Sequence, residues 1–253
     1  MISEPPEMDA KLLERAAKLL SEAQKVVVLT GAGVSAESGI ATFRGAGGLW
    51  ENYRVEDVAT PEAFERDPQL VWRFYNSRRH RLWAIQPNPA HYALAELETR
   101  RPALTLVTQN VDGLHHKAGS RRVLEVHGNL GWVRCTVCES RFDRTGQELP
   151  EMPTCDDCGG LLRPDVVWFG EMLPTKIWSE AAAAAMACEL FLVVGTSAQV
   201  HPAAGLVWSA KAQGAAVVQV NLEPTPADEA ADVSLYGAAG RILPALVEMA
   251  CDE

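Results

Sequence analysis

The hydrophobic pattern of the chain alternates between two kinds of stretch. Runs of consecutive apolar residues rich in Val and Leu predict buried strands, and they lie at 25–30, 103–110, 121–128, 190–197 and 216–223. In other stretches apolar residues recur at helical spacing, which predicts helices over 9–23, 68–83, 90–100, 179–187 and 203–214. Strands that are buried on both faces and separated by helices predict an α/β fold, a mostly parallel sheet with helices on both faces.

Two stretches interrupt this alternation. Residues 42–89 are helical and aromatic without clear strands, and residues 131–164 carry two Cys-x-x-Cys pairs. We expect both to be insertions that together form a second, smaller domain. The larger domain then consists of residues 1–41, 90–130 and 165–253.

Each predicted strand ends in small or polar residues, with the sequences TGAG, TQN, HG, GTS and NLE. The carboxyl ends of parallel strands meet at one edge of the sheet, where α/β proteins bind their ligands. The sequence therefore predicts one binding crevice built from five strand ends.

The first of these ends is a glycine turn, GAGVSAESG. Gly31, Gly33 and Ala36 satisfy the pattern G-x-G-x-x-G/A directly after a strand. Glycines let the backbone approach a pyrophosphate, and the start of a following helix, with Ser35 and Ser38, offers donors. The alternative is a tight turn needed only for packing. No acidic residue ends a strand about 20 residues later, which argues against an ordinary dehydrogenase.

Four of the six cysteines form a regular pattern. Cys135, Cys138, Cys155 and Cys158 are spaced as two Cys-x-x-Cys pairs, which is typical of a zinc ribbon. Four thiolates complete a tetrahedral site and leave no open position, so we expect one structural zinc ion. The alternative, a redox pair, does not explain the second pair. The other two cysteines are expected to be unreactive thiols.

The composition and charge of the chain limit the classes of partner that it is expected to bind. The chain has 253 residues and a net charge of −10, which argues against nucleic acid as the main partner. The N-terminus lacks the pattern of a signal peptide, and the longest apolar run, 181–195, is interrupted by Glu189. We expect a cytoplasmic protein with no membrane contact. The sequence does not fix the oligomeric state, and it is compatible with a monomer.

Several motifs together resemble one family, the sirtuins, which are NAD-dependent protein lysine deacylases. The motifs are GAGVSAESGIATFR (31–44), TQNVDGLH (108–115), EVHG (125–128), the two cysteine pairs, LRPDVVWFGE (162–171), GTSAQVHPAAG (195–205) and VNLE (220–223). The resemblance implies a Rossmann-type parallel sheet with helices on both faces, plus a small zinc-ribbon and helical domain.

The resemblance also implies that the polar strand ends bind NAD as a co-substrate. The implied residues are Gly31, Ala32, Gly33, Ser35, Ser38, Gly39, Ile40, Phe43, Arg44, Gln109, Asn110, Asp112, Gly195, Thr196, Ser197, Asn221, Leu222, Glu223 and Ala239. Asn110 would hold the ribose and a water molecule, and Ile40 and Asp112 would bind the nicotinamide carboxamide.

His127 ends a predicted strand, where a lone histidine is usually structural or exposed. The resemblance makes it the general base of the reaction, with Asn110 as the second catalytic residue. The acyl oxygen would attack the ribose C1′ as nicotinamide leaves, and a ribose hydroxyl must then lose a proton. Imidazole, with an ordinary pKa near 6.5, is suited to accept a proton at neutral pH. The products would be free lysine and an O-acyl-ADP-ribose.

The segment VVWFGE (166–171) reads as a plain core strand or as a docking edge. The resemblance implies that Val167, Phe169 and Gly170 bind the acylated peptide as an added strand.

One part of the chain departs from the common sirtuin pattern SGIPDFR. Here the sequence is SGIATFR, and Thr42 is typical of the sirtuin branch that removes acidic acyl groups. Ala59, Tyr75 and Arg78 also match the acyl pocket of that branch. Residues at i and i+3 share a helix face, so the Tyr75 hydroxyl and the Arg78 guanidinium could bind one carboxylate. The alternative is an ordinary solvated helix face.

Within the same helix we assign Trp72, Phe74 and Trp83 to packing. Arg73, Arg79 and Arg81 are expected to be surface or ion-pair residues.

The sequence therefore favours removal of succinyl or malonyl groups from lysine, with acetyl groups also possible. Three alternatives stay open: an enzyme that is mainly a lysine deacetylase, a protein ADP-ribosyltransferase, or a zinc-stabilised module that senses NAD without turnover.

Overall fold

A computed structural model of the chain describes residues 9–41, 49–50 and 53–251. All five predicted strands are present. The strands are β1 Val26–Thr30, β2 Leu49–Trp50, β3 Tyr53–Arg54, β4 Thr105–Thr108, β5 Val123–Glu125, β6 Gly128–Cys135, β7 Arg141–Asp143, β8 Leu162–Val166, β9 Leu190–Val194, β10 Ala216–Asn221 and β11 Val233–Tyr236.

The predicted helices are also present, with α7 beginning four residues before its predicted start. The helices are α1 Ala10–Glu22, α2 Val55–Val58, α3 Pro61–Arg66, α4 Pro68–Ala84, α5 Pro89–Arg100, α6 Leu114–Lys117, α7 Thr175–Ala187, α8 Gly205–Ala212 and α9 Ala239–Cys251. Two 3₁₀ helices, Ala32–Ser38 and Pro226–Glu229, follow β1 and β10. Side-chain caps fix several helix starts, such as Asp9 for α1 and Asn88 for α5.

Six strands form one parallel sheet in the order β11-β10-β9-β1-β4-β5. Helices α1, α5 and α9 pack on one face, and α7 and α8 pack on the other. Alternate residues of β1 enter different cores: Val26 and Val28 face the first set of helices, and Val27 and Leu29 face the second. This arrangement confirms the Rossmann-type α/β fold.

A second, antiparallel sheet has the order β7-β6-β8. Helices α2 to α4 pack against it and form a separate hydrophobic core, which we call the small core. Its buried residues include Val58, Ala59, Phe64, Val71, Trp72, Phe74, Tyr75, Leu130, Val133, Leu162 and Trp168. The two stretches that interrupt the α/β alternation therefore pack together, while the domain boundaries stated above stay a prediction.

The assignment of Arg79 to the surface is wrong. This residue is 2% exposed, and its guanidinium donates to the carbonyls of Leu130 and, at 2.7 Å, Arg144. Burial lowers the pKa of Arg79 to about 10, so the group still carries its charge at neutral pH. Arg79 thus ties α4 to β6 and to the loop that follows β7.

Within the described part of the chain, no helix combines the length and the hydrophobicity needed to cross a bilayer.

Candidate active site

A cleft of about 700 Å³ opens at the carboxyl ends of the parallel strands, between the parallel sheet and the small core. It collects most of the predicted site residues. Those that line it are Gly31, Ala32, Gly33, Ile40, Ala59, Tyr75, Arg78, Gln109, Asn110, Asp112, His127, Val167, Phe169, Gly170, Gly195, Thr196, Ser197, Asn221, Leu222, Glu223 and Ala239.

Five other predicted positions differ. Ser35, Ser38 and Gly39 are not among the lining residues. Phe43 and Arg44 lie outside the described residues, as does Thr42. The cleft also has a wall from 199–202 that the sequence analysis did not assign.

The glycine turn packs against a second glycine-containing loop. The Gly33 amide donates to the Gly195 carbonyl at 2.7 Å, and a Cβ built on Gly33 would lie 2.7 Å from that same oxygen. Gly195 itself has a φ of +58°, which favours glycine. The turn therefore needs glycine for packing as well as for access to a ligand, and it leads into a 3₁₀ helix.

Ser35 is fully buried behind the cleft, where it forms hydrogen bonds with two residues that line it. Its hydroxyl donates to Asp112 Oδ2 at 2.8 Å and accepts from Asn110 Nδ2 at 3.1 Å. Ser38 accepts from Asn88 Nδ2. The Ser35 proton is thus already used within the protein, whereas donation from Ser38 to a ligand stays a prediction.

His91 belongs to the same network, although the sequence patterns did not predict it. Its Nδ1 accepts from the Asn88 amide at 3.3 Å, so Nε2 carries the proton and faces Ser35 Oγ at 3.3 Å. The available signal was the Asn-Pro start of α5, because His91 closes a capping box with Asn88.

A second buried histidine, His115, contacts Thr30 Oγ1 through Nε2 at 2.9 Å. The rings of His91 and His115 lie 4.9 Å apart. Burial lowers the pKa of His91 to about 4 and that of His115 to about 3, so both are neutral at pH 7.

These two histidines predict a loss of stability in acid. Their folded pKa values lie below the unfolded value of about 6.5, so below pH 6.5 the unfolded chain binds protons that the folded chain does not. The contribution of the two neutral histidines to the free energy of unfolding is therefore fully present above pH 6.5 and is lost as the pH drops towards 4. Each histidine is expected to cost about 2.5 kcal/mol of unfolding free energy at pH 4.5.

Denaturant unfolding between pH 7.5 and 4.5 measures this loss. The variant His91→Gln should show a shallower fall than wild type, whereas His201→Gln, at an exposed site, should keep the wild-type slope. A slope that is identical in wild type and His91→Gln would contradict the assignment. Comparing slopes between variants removes contributions common to both, such as metal loss in acid.

His127 is held in one tautomer. Its Nδ1 lies 3.0 Å from the Gln109 carbonyl, which can only accept, so Nδ1 carries the proton and Nε2 keeps a lone pair. Burial lowers the pKa of His127 from its usual value, and the bond to Gln109 offsets this only in part. The imidazole is therefore neutral at pH 7 and can accept a proton in the cleft.

Asp112 is fixed by hydrogen bonds from two sides. Its Oδ1 accepts from the Leu114 amide at 2.9 Å, and its Oδ2 accepts from Ser35. Burial raises the pKa of Asp112. The carboxyl group is thus positioned to bind a polar ligand, such as an amide.

At the far end of the cleft, residues at the ends of β4, β9 and β10 lie close together. Gln109 Nε2 donates to Thr196 Oγ1 at 2.9 Å, and Asn221 Nδ2 donates to the Glu223 carbonyl at 3.1 Å. Glu37 accepts from the Gly240 amide at 2.6 Å and so caps the start of α9. Gln109 therefore orients His127 through its carbonyl and contacts the loop after β9 through its side chain.

Ala59, Tyr75 and Arg78 line the opposite wall. Tyr75 is 1% exposed, and its hydroxyl oxygen accepts from Trp168 Nε1 at 2.9 Å. This placement is incompatible with the alternative of a solvated helix face for Tyr75. Ala59 is buried, and its carbonyl accepts from the Phe169 amide at 3.0 Å.

The segment after β8 is irregular rather than an extended strand. The Val167 amide donates to the His127 carbonyl at 2.9 Å, and the Trp168 amide donates to Glu171 Oε2 at 2.8 Å. Phe169 is 49% exposed at the mouth of the cleft. The segment is thus anchored from within and presents one large apolar side chain to solvent.

The four paired cysteines come together. Their sulfur atoms all lie within 4.8 Å of one another. Backbone amides of Val137 and Gly160 point at Cys135 Sγ and Cys158 Sγ, at 3.3 and 3.4 Å, which stabilises thiolates. The four sulfur atoms and the amides that point at them fit one structural zinc ion.

The remaining cysteines lie elsewhere. Cys188 is buried and donates to the Ala185 carbonyl, and burial raises its pKa to about 11, which makes it a poor nucleophile. Cys251 is partly buried at the end of α9.

Comparisons with known proteins agree with this geometry. A sequence profile described as the Sir2 family matches residues 31–202. A protein named NAD-dependent protein deacylase 2, from Pyrobaculum aerophilum, is 53% identical over 234 residues, which cover 92% of this chain and 93% of the relative.

Solved structures give the same result. A Sir2 homologue in complex with NAD has a TM-score of 0.88 at 48% identity, covering 96% of this chain and 94% of that one. Sir2Af2 bound to a myristoylated histone peptide has a TM-score of 0.77 at 39% identity, covering 96% and 97%. This chain belongs to the Sir2 family.

Proposed function

We propose that this chain removes acyl groups from protein lysines at the expense of NAD, and that it favours acyl groups that end in a carboxylate. The observation that carries the proposal is one cleft with two walls. One wall presents the free Nε2 of His127, and the other presents Tyr75 and Arg78 beside the small Ala59. The first suits deacylation, and the second suits an acidic acyl chain.

NAD is assigned to the strand-end side of the cleft. Bound there, NAD supplies an electrophilic ribose carbon and nicotinamide as a leaving group. Asp112, held by Ser35 and the Leu114 amide, would orient the carboxamide. Asn110, bonded to the Gly31 carbonyl and Ser35, would hold the ribose. The relative solved with NAD supports this assignment.

His127 would act on the ribose hydroxyl. Because the Gln109 carbonyl fixes the proton on Nδ1, Nε2 can take a proton without a change of tautomer. The lowered pKa of His127 keeps this nitrogen deprotonated at neutral pH. An NAD sensor has no need for such a base, so the sensing alternative is disfavoured.

The peptide is assigned to the segment after β8. The amides of Val167, Trp168 and Phe169 already donate within the chain, so a peptide strand along this segment would be bound through carbonyl groups. The solved complex of a relative with a myristoylated histone peptide supports a peptide substrate.

The acidic-acyl preference depends on charge. A carboxylate in a partly buried pocket needs a cation, and the planar guanidinium of Arg78 can bind it with two parallel hydrogen bonds. Arg163 is the other arginine near Tyr75, but Glu171 already pairs with it at 2.6 and 2.9 Å. Arg78 lines the cleft beside Tyr75 and Ala59, whereas Arg163 does not line it, so Arg78 is the cation assigned to the substrate.

Replacing Arg78 tests this preference. Arg78→Met is expected to lower kcat/KM for succinyl- and malonyl-lysine peptides by about 10- to 100-fold, the effect of losing a charge-assisted hydrogen bond. Activity on the acetyl peptide should stay within about threefold of wild type, because an acetyl group has no carboxylate that could pair with Arg78. The assay uses one peptide with the three acyl groups, and also records KM for NAD.

The matched control is Arg81→Met, an exposed arginine on the same helix, which should behave as wild type. Equal losses on all three substrates with Arg78→Met would remove the acidic-acyl assignment and leave a deacetylase.

The same NAD site could also transfer ADP-ribose to protein. Reaction with labelled NAD separates the two outcomes: we expect label on a small O-acyl product. Label retained on protein would favour the transferase.

A further inference from the structure

The indole of Trp168 sits directly behind the Tyr75 hydroxyl. Trp168 is 3% exposed and lines the cleft beside Tyr75. Its Nε1–H donates to the hydroxyl oxygen at 2.9 Å, and the two rings lie 6.4 Å apart. Among the described residues, nothing accepts the Tyr75 proton. The oxygen is therefore satisfied as an acceptor, while its donor capacity is unused.

This contact restricts the direction of the O–H bond. A phenol proton prefers the plane of its ring, where it has two orientations. A donor on one side excludes the orientation that points the proton at it, since two hydrogens would then face each other. Burial also raises the pKa of Tyr75, so the hydroxyl stays protonated. Tyr75 is held as a donor to a ligand, not as an acceptor.

Trp168 is itself fixed from behind. The Arg163 guanidinium stacks on its ring, with the guanidinium carbon 3.4 Å from the centroid. Glu171 pairs with Arg163 through both carboxylate oxygens, and one of them also accepts the Trp168 amide at 2.8 Å. A cation on the indole face makes its N–H a stronger donor. Arg163 and Glu171 thus hold Trp168 in the orientation in which its indole N–H donates to the Tyr75 hydroxyl.

We propose that Trp168 is a positioning residue for acyl specificity: its N–H fixes the Tyr75 hydroxyl as a donor to the terminal carboxylate of the acyl chain. An acetyl group has no such carboxylate, so this bond matters only for acidic substrates. The inference rests on the acidic-acyl preference proposed above.

The variant Trp168→Phe tests it, because it removes the N–H and keeps an aromatic ring in the small core. We expect the ratio of kcat/KM for succinyl- over acetyl-lysine peptide to fall by about 5- to 10-fold, the effect of one hydrogen bond. The loss should appear mainly in KM for the succinyl peptide, and acetyl kcat/KM should fall by less than succinyl kcat/KM.

The decisive comparison uses Tyr75→Phe and the double variant. If Trp168 acts through the hydroxyl, Tyr75→Phe should lower the ratio at least as much, and adding Trp168→Phe should lower it no further. Additive losses would mean that the two residues act independently, and equal losses on both substrates would mean a structural role. Either result overturns the proposal.

Failure of the underlying preference is recognised separately. A wild-type enzyme that does not use succinyl-lysine would overturn both proposals, whereas a succinyl preference left intact by Trp168→Phe overturns only this one. Should Trp168→Phe not fold, Arg163→Lys takes its place. It keeps a cation for Glu171 but loses planar stacking on the indole, and we expect a fall in the ratio of about threefold.

Discussion

The variant His127→Ala is expected to lose at least about 10³-fold in kcat while its fold and thermal midpoint stay close to wild type. Removing a positioned general base typically costs 10²- to 10⁴-fold. Turnover is measured as nicotinamide released per enzyme, at saturating NAD and acylated peptide.

A conservative variant separates the base from its surroundings. His127→Gln can still donate to the Gln109 carbonyl but has no basic nitrogen, so it should be as inactive as His127→Ala. His80→Ala, at an exposed histidine on α4, is the control and should retain full activity. Substantial turnover in His127→Gln would contradict the role of Nε2.

The pH profile provides a second measure of the same residue. Because burial lowers the pKa of His127, the acidic limb of kcat/KM in wild type should have its midpoint below 6.5. A midpoint above 6.5 would mean that another group controls the rate.

Loss of the zinc ion is expected to be the other large effect. Four clustered thiolates without a metal repel one another, and the connection between the cysteine pairs has little core of its own. The variant Cys155→Ser should lower metal content from one zinc per chain to well below one. It should also unfold the antiparallel sheet and reduce deacylation by more than about tenfold, since zinc binding to such sites contributes many kcal/mol of folding free energy.

The damage should be local. Hydrogen exchange should show loss of protection in β6 to β8 and α4, while β1 and β9 of the parallel sheet stay protected. Cys251→Ser, outside the cluster, serves as the control. A metal-free Cys155→Ser protein with native protection in β6 would contradict a structural role for the ion.

Much of the fold follows from the sequence because buried parallel strands and their helices have strong local patterns. The elements that were missed have weak ones. β11 lies at the sheet edge and has only four residues, and α9 contains Pro244, which sequence rules read as a helix breaker. Both are determined by packing on the rest of the sheet.

The sequence predicts where in the fold the site lies, but not how deeply each of its side chains is buried. Strand ends must converge, so the grouping of His127, Asn110 and Thr196 follows from topology. Whether a serine lines the cleft or lies behind it depends on a tertiary network, and Ser35 faces His91 from a distant helix. Arg79 was misassigned for the same reason. Its partners are backbone carbonyls, and every residue type has one, so the sequence does not show that they will bind Arg79.

The small core also bears on how new specificities could arise in this chain. Tyr75, Ala59 and Trp168 pack in that core, whereas the strands that carry the NAD side pack in the two cores of the parallel sheet. Substitutions with no shared contacts tend to have additive effects. Selection can therefore reshape the acyl pocket largely through the small core, so that substrate range can change with little effect on the strands that carry the NAD side.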